Sequence, residues 1–107
     1  MAQDFTRYKA RLTGTSAATL FTANSNDTIV GISVANVTAS AVNASVYIND
    51  GTNDFYLVKS APIPSGSALQ VLDGGAKVVV QSGDILKVVS DTASSLDTWV
   101  STVDAIS

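Results

Sequence analysis

The residues that could carry chemistry are nine acidic side chains, all aspartate, in a chain of 107 residues without histidine or cysteine. Most of them stand in or beside turns rich in glycine, serine and asparagine: Asp27, Asp50, Asp54, Asp73, Asp84 and Asp91. Glycoside hydrolysis needs two carboxyl groups in one cleft, whereas caps and turn hydrogen bonds account for aspartates in turns. A nucleophilic serine also needs a base, and Ser60 beside Lys59 would point to the opposite face of a strand. The sequence therefore predicts a protein that is not an enzyme.

Metal and phosphate sites receive little support from the spacing of these groups. Asp50, Asn53 and Asp54 could offer three oxygen ligands to calcium, but their spacing does not match the helix-flanked twelve-residue calcium loop. The glycine turns at 73–75 and 82–84 lack the lysine and the following helix of a phosphate-binding loop. We expect no metal and no cofactor.

Half of the six basic residues fall at alternate positions of one segment near the amino terminus. Arg7, Lys9 and Arg11 predict one cationic face of a strand. The residues between them form the opposite, inward-facing set: Tyr8, Ala10 and Leu12. The cationic face is either a solvated edge whose charges prevent edge-to-edge pairing, or a docking face for an acidic partner. We therefore expect a single domain, residues 1–107, in which residues 1–13 form a docking arm or an edge strand.

Two aromatic residues complete the candidate interface. Trp99 is the only tryptophan of the chain, and Tyr56 is one of three tyrosines. A single tryptophan without a paired aromatic is typical of a core or interface anchor. The alternative is a carbohydrate- or receptor-binding site around Tyr56 and Trp99, because many sandwich domains bind glycans.

The elements that position these residues are predicted by alternation of apolar and polar side chains. Val30, Ile32 and Val34 alternate with small residues, and the same period of two continues over residues 42–49. These runs predict two antiparallel strands with one buried face, joined by a small-residue link at 38–41. A surface helix is excluded, since a period of 3.6 would scatter the same aliphatic residues around its axis.

Further strands are predicted between turn signals that recur about every 8 to 12 residues, the spacing of a sandwich or barrel. The predicted strands occupy residues 4–13, 19–23, 55–59, 68–72, 77–81 and 85–89. Residues 61–66 contain two prolines and predict a crossover between strands or sheets. Residues 96–106 show some helical spacing, but their β-branched residues favour a final strand. The predicted fold is an all-β antiparallel sandwich, jelly-roll or immunoglobulin-like, of about eight strands.

Composition restricts the partners. A net charge of −3 and a pI near 4.4 disfavour binding of the whole domain to nucleic acid or anionic membranes. No secretory signal and no apolar run long enough to span a bilayer are visible. Only 14% of residues are charged, so a neighbouring subunit could cover this surface at little desolvation cost.

Several motifs along the chain resemble those of small virion proteins of tailed bacteriophages, many of them from phages of cyanobacteria and other marine bacteria. The motifs that carry the resemblance are Thr19-Leu20-Phe21-Thr22, Ile29-Val30-Gly31-Ile32, Val34-Ala35-Asn36, Phe55-Tyr56-Leu57-Val58-Lys59, the segment 61–67 and the segment 81–88. Proteins of this class are antiparallel β-sandwiches that decorate capsids or form neck and tail parts.

The resemblance implies a virion structural protein, with a capsid decoration (cement) subunit as the first expectation. Its partners would be the major capsid protein or other virion proteins, its location the virion after assembly in the host cytoplasm, and its state a homo-oligomer such as a trimer. The alternative in the same class is a neck, tail or fibre-adaptor protein. The residues expected at the interface are Arg7, Lys9, Arg11, Tyr56 and Trp99.

Overall fold

The computed structural model describes residues 3–24, 26–72 and 77–105, and within these ranges it contains nine strands and no helix. The strands are β1 (Gln3–Thr13), β2 (Ala18–Thr22), β3 (Asp27–Asn36), β4 (Val42–Asn49), β5 (Asp54–Ile63), β6 (Ala68–Leu72), β7 (Val78–Val80), β8 (Ile85–Ser90) and β9 (Leu96–Ala105). The predicted all-β fold is confirmed, and residues 96–105 form the expected final strand. Ile106 and the predicted turn at 73–75 lie outside the described residues.

The strands form two antiparallel sheets that enclose one core. The five-stranded sheet has the order β1-β9-β3-β6, and β7 also pairs with β3. The four-stranded sheet has the order β2-β8-β4-β5. Since β9 pairs along the whole of one edge of β3, β6 and β7 follow one another along its other edge.

The strand order distinguishes between the two predicted sandwich types. When β6 and β7 are counted as one position, the chain has eight positions, which pair first with eighth, second with seventh, third with sixth, and fourth with fifth. This nested pairing divided between two sheets is the jelly roll. The expectation of about eight strands is met, because one position is occupied by two short strands.

Apolar side chains from both sheets fill the space between them. The fully buried members of this core are Ile29, Ile32, Val34, Ala44, Val46, Ile63, Leu86, Val88, Leu96 and Val100. On the side where the edge strands β1 and β2 meet, Tyr8 stacks on Phe21 with ring centroids 4.4 Å apart. This stacked pair closes the core between the two sheets.

The predicted pairing of the two central runs is wrong, since β3 belongs to the five-stranded sheet and β4 to the four-stranded sheet. The link between them carries the chain from one sheet to the other and is fixed by the buried side chain of Asn36. Its Nδ2 donates to the carbonyls of Ser40 at 2.8 Å and Ile63 at 2.9 Å. Its Oδ1 accepts from the Thr38 amide at 2.9 Å and from the Thr38 hydroxyl at 2.7 Å. The hydrogen bonds of Asn36 thus hold a crossover between the two sheets at the position where the alternation predicted a link between paired strands.

Two β-bulges shift the predicted alternation, because an extra residue moves the following side chains to the other face. The register of β3 against β9 shifts between Ile29 and Gly31, so Ile29 is buried in the core and Val30 is only half-buried. The register of β1 shifts between Ala10 and Thr13. Leu12, predicted to face inward, has a φ of 54° and is 42% exposed, while Thr13 is buried.

The proline-containing segment behaves as predicted. Its first part ends β5 at Ile63, and a turn follows in which the Ser67 amide donates to the Pro64 carbonyl at 3.1 Å. Gly66 has a φ of 71° in this turn, a conformation that glycine adopts without steric cost. The chain then enters β6 in the other sheet, so the predicted crossover is confirmed.

Candidate docking surface

The outer face of the five-stranded sheet exposes several large apolar side chains. Directly paired residues of an antiparallel sheet share a face, and the register places Phe5, Val103, Thr28 and Val79 in one row across four strands. Phe5 is 82% exposed and Val79 is 67% exposed. At this end, three of the four positions in the row are apolar, the fourth is threonine, and none is charged.

The cationic stripe lies on the same outer face. Arg7, Lys9 and Arg11 are all exposed on β1, which is an edge strand of the five-stranded sheet. Lys9 pairs directly with Trp99 on β9. Trp99 is 50% exposed, and the guanidinium carbon of Arg7 lies 5.4 Å from the centroid of its ring. Four of the five residues predicted at the interface therefore lie on one surface.

An open groove of about 550 Å³ lies beside Trp99 on this face. Its lining consists of Lys9, Ala10, Arg11, Ser33, Ala35, Asp97, Thr98 and Trp99. The depression exists because the outward positions of β3 are occupied by small residues, Ser33 opposite Trp99 and Ala35 opposite Asp97. Small side chains at the centre of a sheet leave the larger ones of β1 and β9 as a wall.

The charged side chains of the groove differ in their hydrogen bonds and ion pairs. Oδ1 of Asp97 accepts the Leu12 amide at 2.9 Å, which holds the bulge that follows Arg11. Among the residues whose side chains the structure describes, no ion pair is recorded for Lys9 or Arg11. The groove thus presents two cations and one carboxylate beside a half-exposed indole ring.

Tyr56, the fifth residue predicted at the interface, lies on the outer face of the other sheet. Thr19, Lys87, Tyr47 and Tyr56 form a row across the four-stranded sheet. The rings of Tyr47 and Tyr56 lie 5.0 Å apart, and Nζ of Lys59 lies 5.0 Å from the centre of the Tyr56 ring.

The separation of Tyr56 and Trp99 has a consequence for glycan binding. The two residues point away from the sandwich on opposite sides, so they cannot contribute to one site. The carbohydrate site built around both residues is therefore wrong.

Burial, the carboxylate of Asp54 and the Tyr56 hydroxyl raise the pKa of Tyr47, in that order of importance.

The aspartates of the turn after β4 accept hydrogen bonds from groups within that turn and beside it. Oδ1 of Asp50 accepts the amides of Asn53 at 2.8 Å and Thr52 at 3.0 Å, and these bonds lower its pKa. Oδ1 of Asp54 accepts the Asn49 side chain at 2.7 Å. No group of three or more potential metal ligands occurs in the described part of the chain.

Two exposed apolar residues of the surface, Phe5 and Val79, were not predicted. Each has an ordinary position in an alternating strand, and only the sheet order places them in one row with Val103. The groove was missed for the same reason, since the small residues of β3 become its floor only when β9 is their neighbour.

Comparison with protein-family models finds no match, and comparison with curated proteins also finds none. Among solved structures, a chain from the structure of infectious bursal disease virus, Gt strain, is similar to this chain over 94% of its length, with 16% sequence identity and a TM-score of 0.43. The match covers 30% of that viral chain. A likeness of this size assigns no function.

In the residues that the structure describes, no helix has the length and apolar character required to cross a membrane.

Proposed function

We propose that this chain is a non-enzymatic structural protein of a tailed-bacteriophage virion, and specifically a capsid decoration subunit. The observation that carries the proposal is the outer face of the five-stranded sheet, where Phe5, Val79 and Trp99 are exposed on the same face as three cations. The resemblance of the sequence motifs to phage virion proteins supports the class of particle. The jelly-roll topology is also compatible, since capsid domains as well as lectins use it.

The composition of this face suits attachment to a protein surface. Exposed apolar side chains that lie together mark interaction sites, and aromatic residues and arginine are enriched at interfaces. Arg7, Lys9 and Arg11 add a positive potential to a chain of net charge −3. Such a stripe would orient the subunit on an acidic partner such as the major capsid protein.

Decoration would stabilise the shell by bridging its subunits. A standard specific interface buries about 800 Å² per partner, and contacts repeated over many copies add avidity. A symmetric homo-oligomer, for example a trimer, would multiply these contacts at each position. Internal pressure would then have to break additional interfaces before the shell opens.

The copy number of this chain in purified particles tests the proposal most directly. Quantitative mass spectrometry against the major shell protein should give a number of copies comparable with that of the shell subunit. A small number of copies would instead assign the protein to the neck, tail or fibre adaptor. Absence from particles would contradict a virion role altogether.

The docking face is tested by attachment of purified protein to particles that lack it. Replacing Arg7, Lys9 and Arg11 together with serine should abolish attachment and lower the melting temperature only slightly, because these side chains are exposed and the contact of Arg7 with the Trp99 ring contributes about 1 kcal/mol or less. The matched control replaces the other three basic residues, Lys59, Lys77 and Lys87, and removes the same charge elsewhere. Unchanged attachment of the first variant would exclude the stripe as the docking site.

A further inference from the structure

The groove beside Trp99 has the composition of a carboxylate site. Lys9 and Arg11 contribute two positive charges to its lining, and the indole ring of Trp99 offers apolar area next to them. Asp97 adds one negative charge to the same lining, where its Oδ1 accepts the Leu12 amide, so two cations and one carboxylate leave the lining with a net positive charge. A glutamate side chain could place its methylene groups against the indole and its carboxylate between the two cations.

The spacing of the cations indicates the shape of the ligand. Side chains on one face of a strand repeat about every 7 Å, the distance between alternate residues of any extended chain. Arg7, Lys9 and Arg11 occupy three successive outward positions of β1, and only the last two line the groove. A compact ligand with one carboxylate would leave Arg7 unused, whereas an extended segment would reach all three.

We infer that this surface binds an extended acidic segment of a partner protein, in which acidic side chains at alternate positions face Arg7, Lys9 and Arg11. One of these acidic side chains occupies the groove beside Trp99. The volume of about 550 Å³ is sufficient for a glutamate side chain and the adjoining backbone. The inference rests on the proposed function, because it names the chemistry of the partner on which the subunit docks.

The test uses the fluorescence of Trp99, which is the only tryptophan of the chain and borders the groove. The probe is a synthetic peptide in which glutamate alternates with threonine. Its addition should change the Trp99 emission in a saturable manner, and added salt should weaken binding. A peptide with glutamine in place of glutamate should not bind, and one with the same glutamates in a single block should bind several-fold more weakly. Equal affinity for the alternating and block peptides would overturn the inference.

Variants locate the binding site. Replacing Lys9 and Arg11 with serine should raise the dissociation constant of the alternating peptide roughly tenfold or more. The same replacements at Lys59 and Lys87, on the four-stranded sheet, should leave it unchanged. Equal weakening by both pairs would show attraction to net charge alone and would contradict a specific site. If polygalacturonate binds more tightly than the peptide, the inferred ligand is wrong, and the site binds an acidic glycan instead of an acidic protein segment.

The results separate this inference from the proposed function. If the peptide binds and the chain is absent from particles, the virion role fails and the acidic-segment site stands. If the chain is abundant in particles and the peptide leaves Trp99 unaffected, the virion role stands and the acidic-segment site fails.

Discussion

The two outer faces of the sandwich differ in how their aromatic side chains are packed. On the four-stranded sheet, Tyr47 is 9% exposed because it packs against its cross-strand neighbour Tyr56, which in turn lies beside Lys59. On the five-stranded sheet, Phe5 is 82% exposed and Trp99 is 50% exposed. Tyr56 itself is 45% exposed, so the first face buries one ring of its pair, whereas on the second face both Phe5 and Trp99 are at least half-exposed.

The difference originates in the residues that separate the large side chains. Tyr47 and Tyr56 lie on adjacent strands and meet directly. On the other sheet, the central strand β3 carries Gly31 and Ser33 at outward positions, so Trp99 has no large neighbour on that side. Tyr47 therefore stabilises the fold on one face, and Trp99 on the other face is available to a partner.

The largest effect that this comparison predicts is a difference between two aromatic truncations. Tyr47→Ala should lower the free energy of unfolding by about 3 kcal/mol, because it removes a buried ring and its contact with Tyr56. Trp99→Ala should cost only about 1 kcal/mol, since the ring is half-exposed and its main described contact is the cation–π contact with Arg7. Denaturant unfolding measures both values.

The same two variants should show the reverse order in attachment to particles, where Trp99→Ala weakens binding and Tyr47→Ala does not. Tyr47→Phe is the control for the ring, and should stay within about 0.5 kcal/mol of the parent protein. Equal stability losses for Tyr47→Ala and Trp99→Ala would remove the distinction between the two faces.

A smaller effect is expected where the chain passes from one sheet to the other. Asn36→Ala should cost about 2 kcal/mol, because the buried carbonyl of Ile63 and the Thr38 groups lose their partner. If the two sheets fold as one unit, Trp99 fluorescence and far-ultraviolet circular dichroism should report the same shifted transition.

Asn53→Ala is the matched control, since Asn53 is exposed and its recorded hydrogen bonds involve only its backbone. It should change the unfolding free energy by less than about 0.5 kcal/mol. Separate transitions for the two probes in the Asn36 variant would mean that the faces belong to independently unfolding sheets.

The sequence predicted the positions of the strands better than it predicted which strands pair. Alternation identifies a strand from a few consecutive residues and was sufficient for β4, whereas turn signals delimited β8 and β-branched residues identified β9. Pairing depends on contacts distant in sequence, so the crossover after Asn36 was mistaken for a hairpin link. Alternation also does not reveal β-bulges, which change the face on which the following side chains lie, as at Leu12. The stripe on β1 needed only alternation, whereas the groove needed the complete order of the sheet.

Acid should affect the two faces unequally, through two carboxylates that hold the ends of β4. The amide of Asn53 and then that of Thr52 lower the pKa of Asp50, and the Asn43 amide followed by the Thr92 hydroxyl lowers the pKa of Asp91. Because both pKa values lie below the ordinary value of 3.8, the ionised groups stabilise the fold above that pH, and this contribution is lost as the pH falls through the folded-state values. The measurement is hydrogen exchange of the backbone amides, corrected for the intrinsic exchange rate. Below about pH 4, exchange should accelerate at Asn43 and Thr52 before it accelerates in β9. Replacing both Asp50 and Asp91 with asparagine should remove this pH dependence. Simultaneous acceleration in both sheets would show that acid acts on the whole sandwich and not on the ends of the four-stranded sheet.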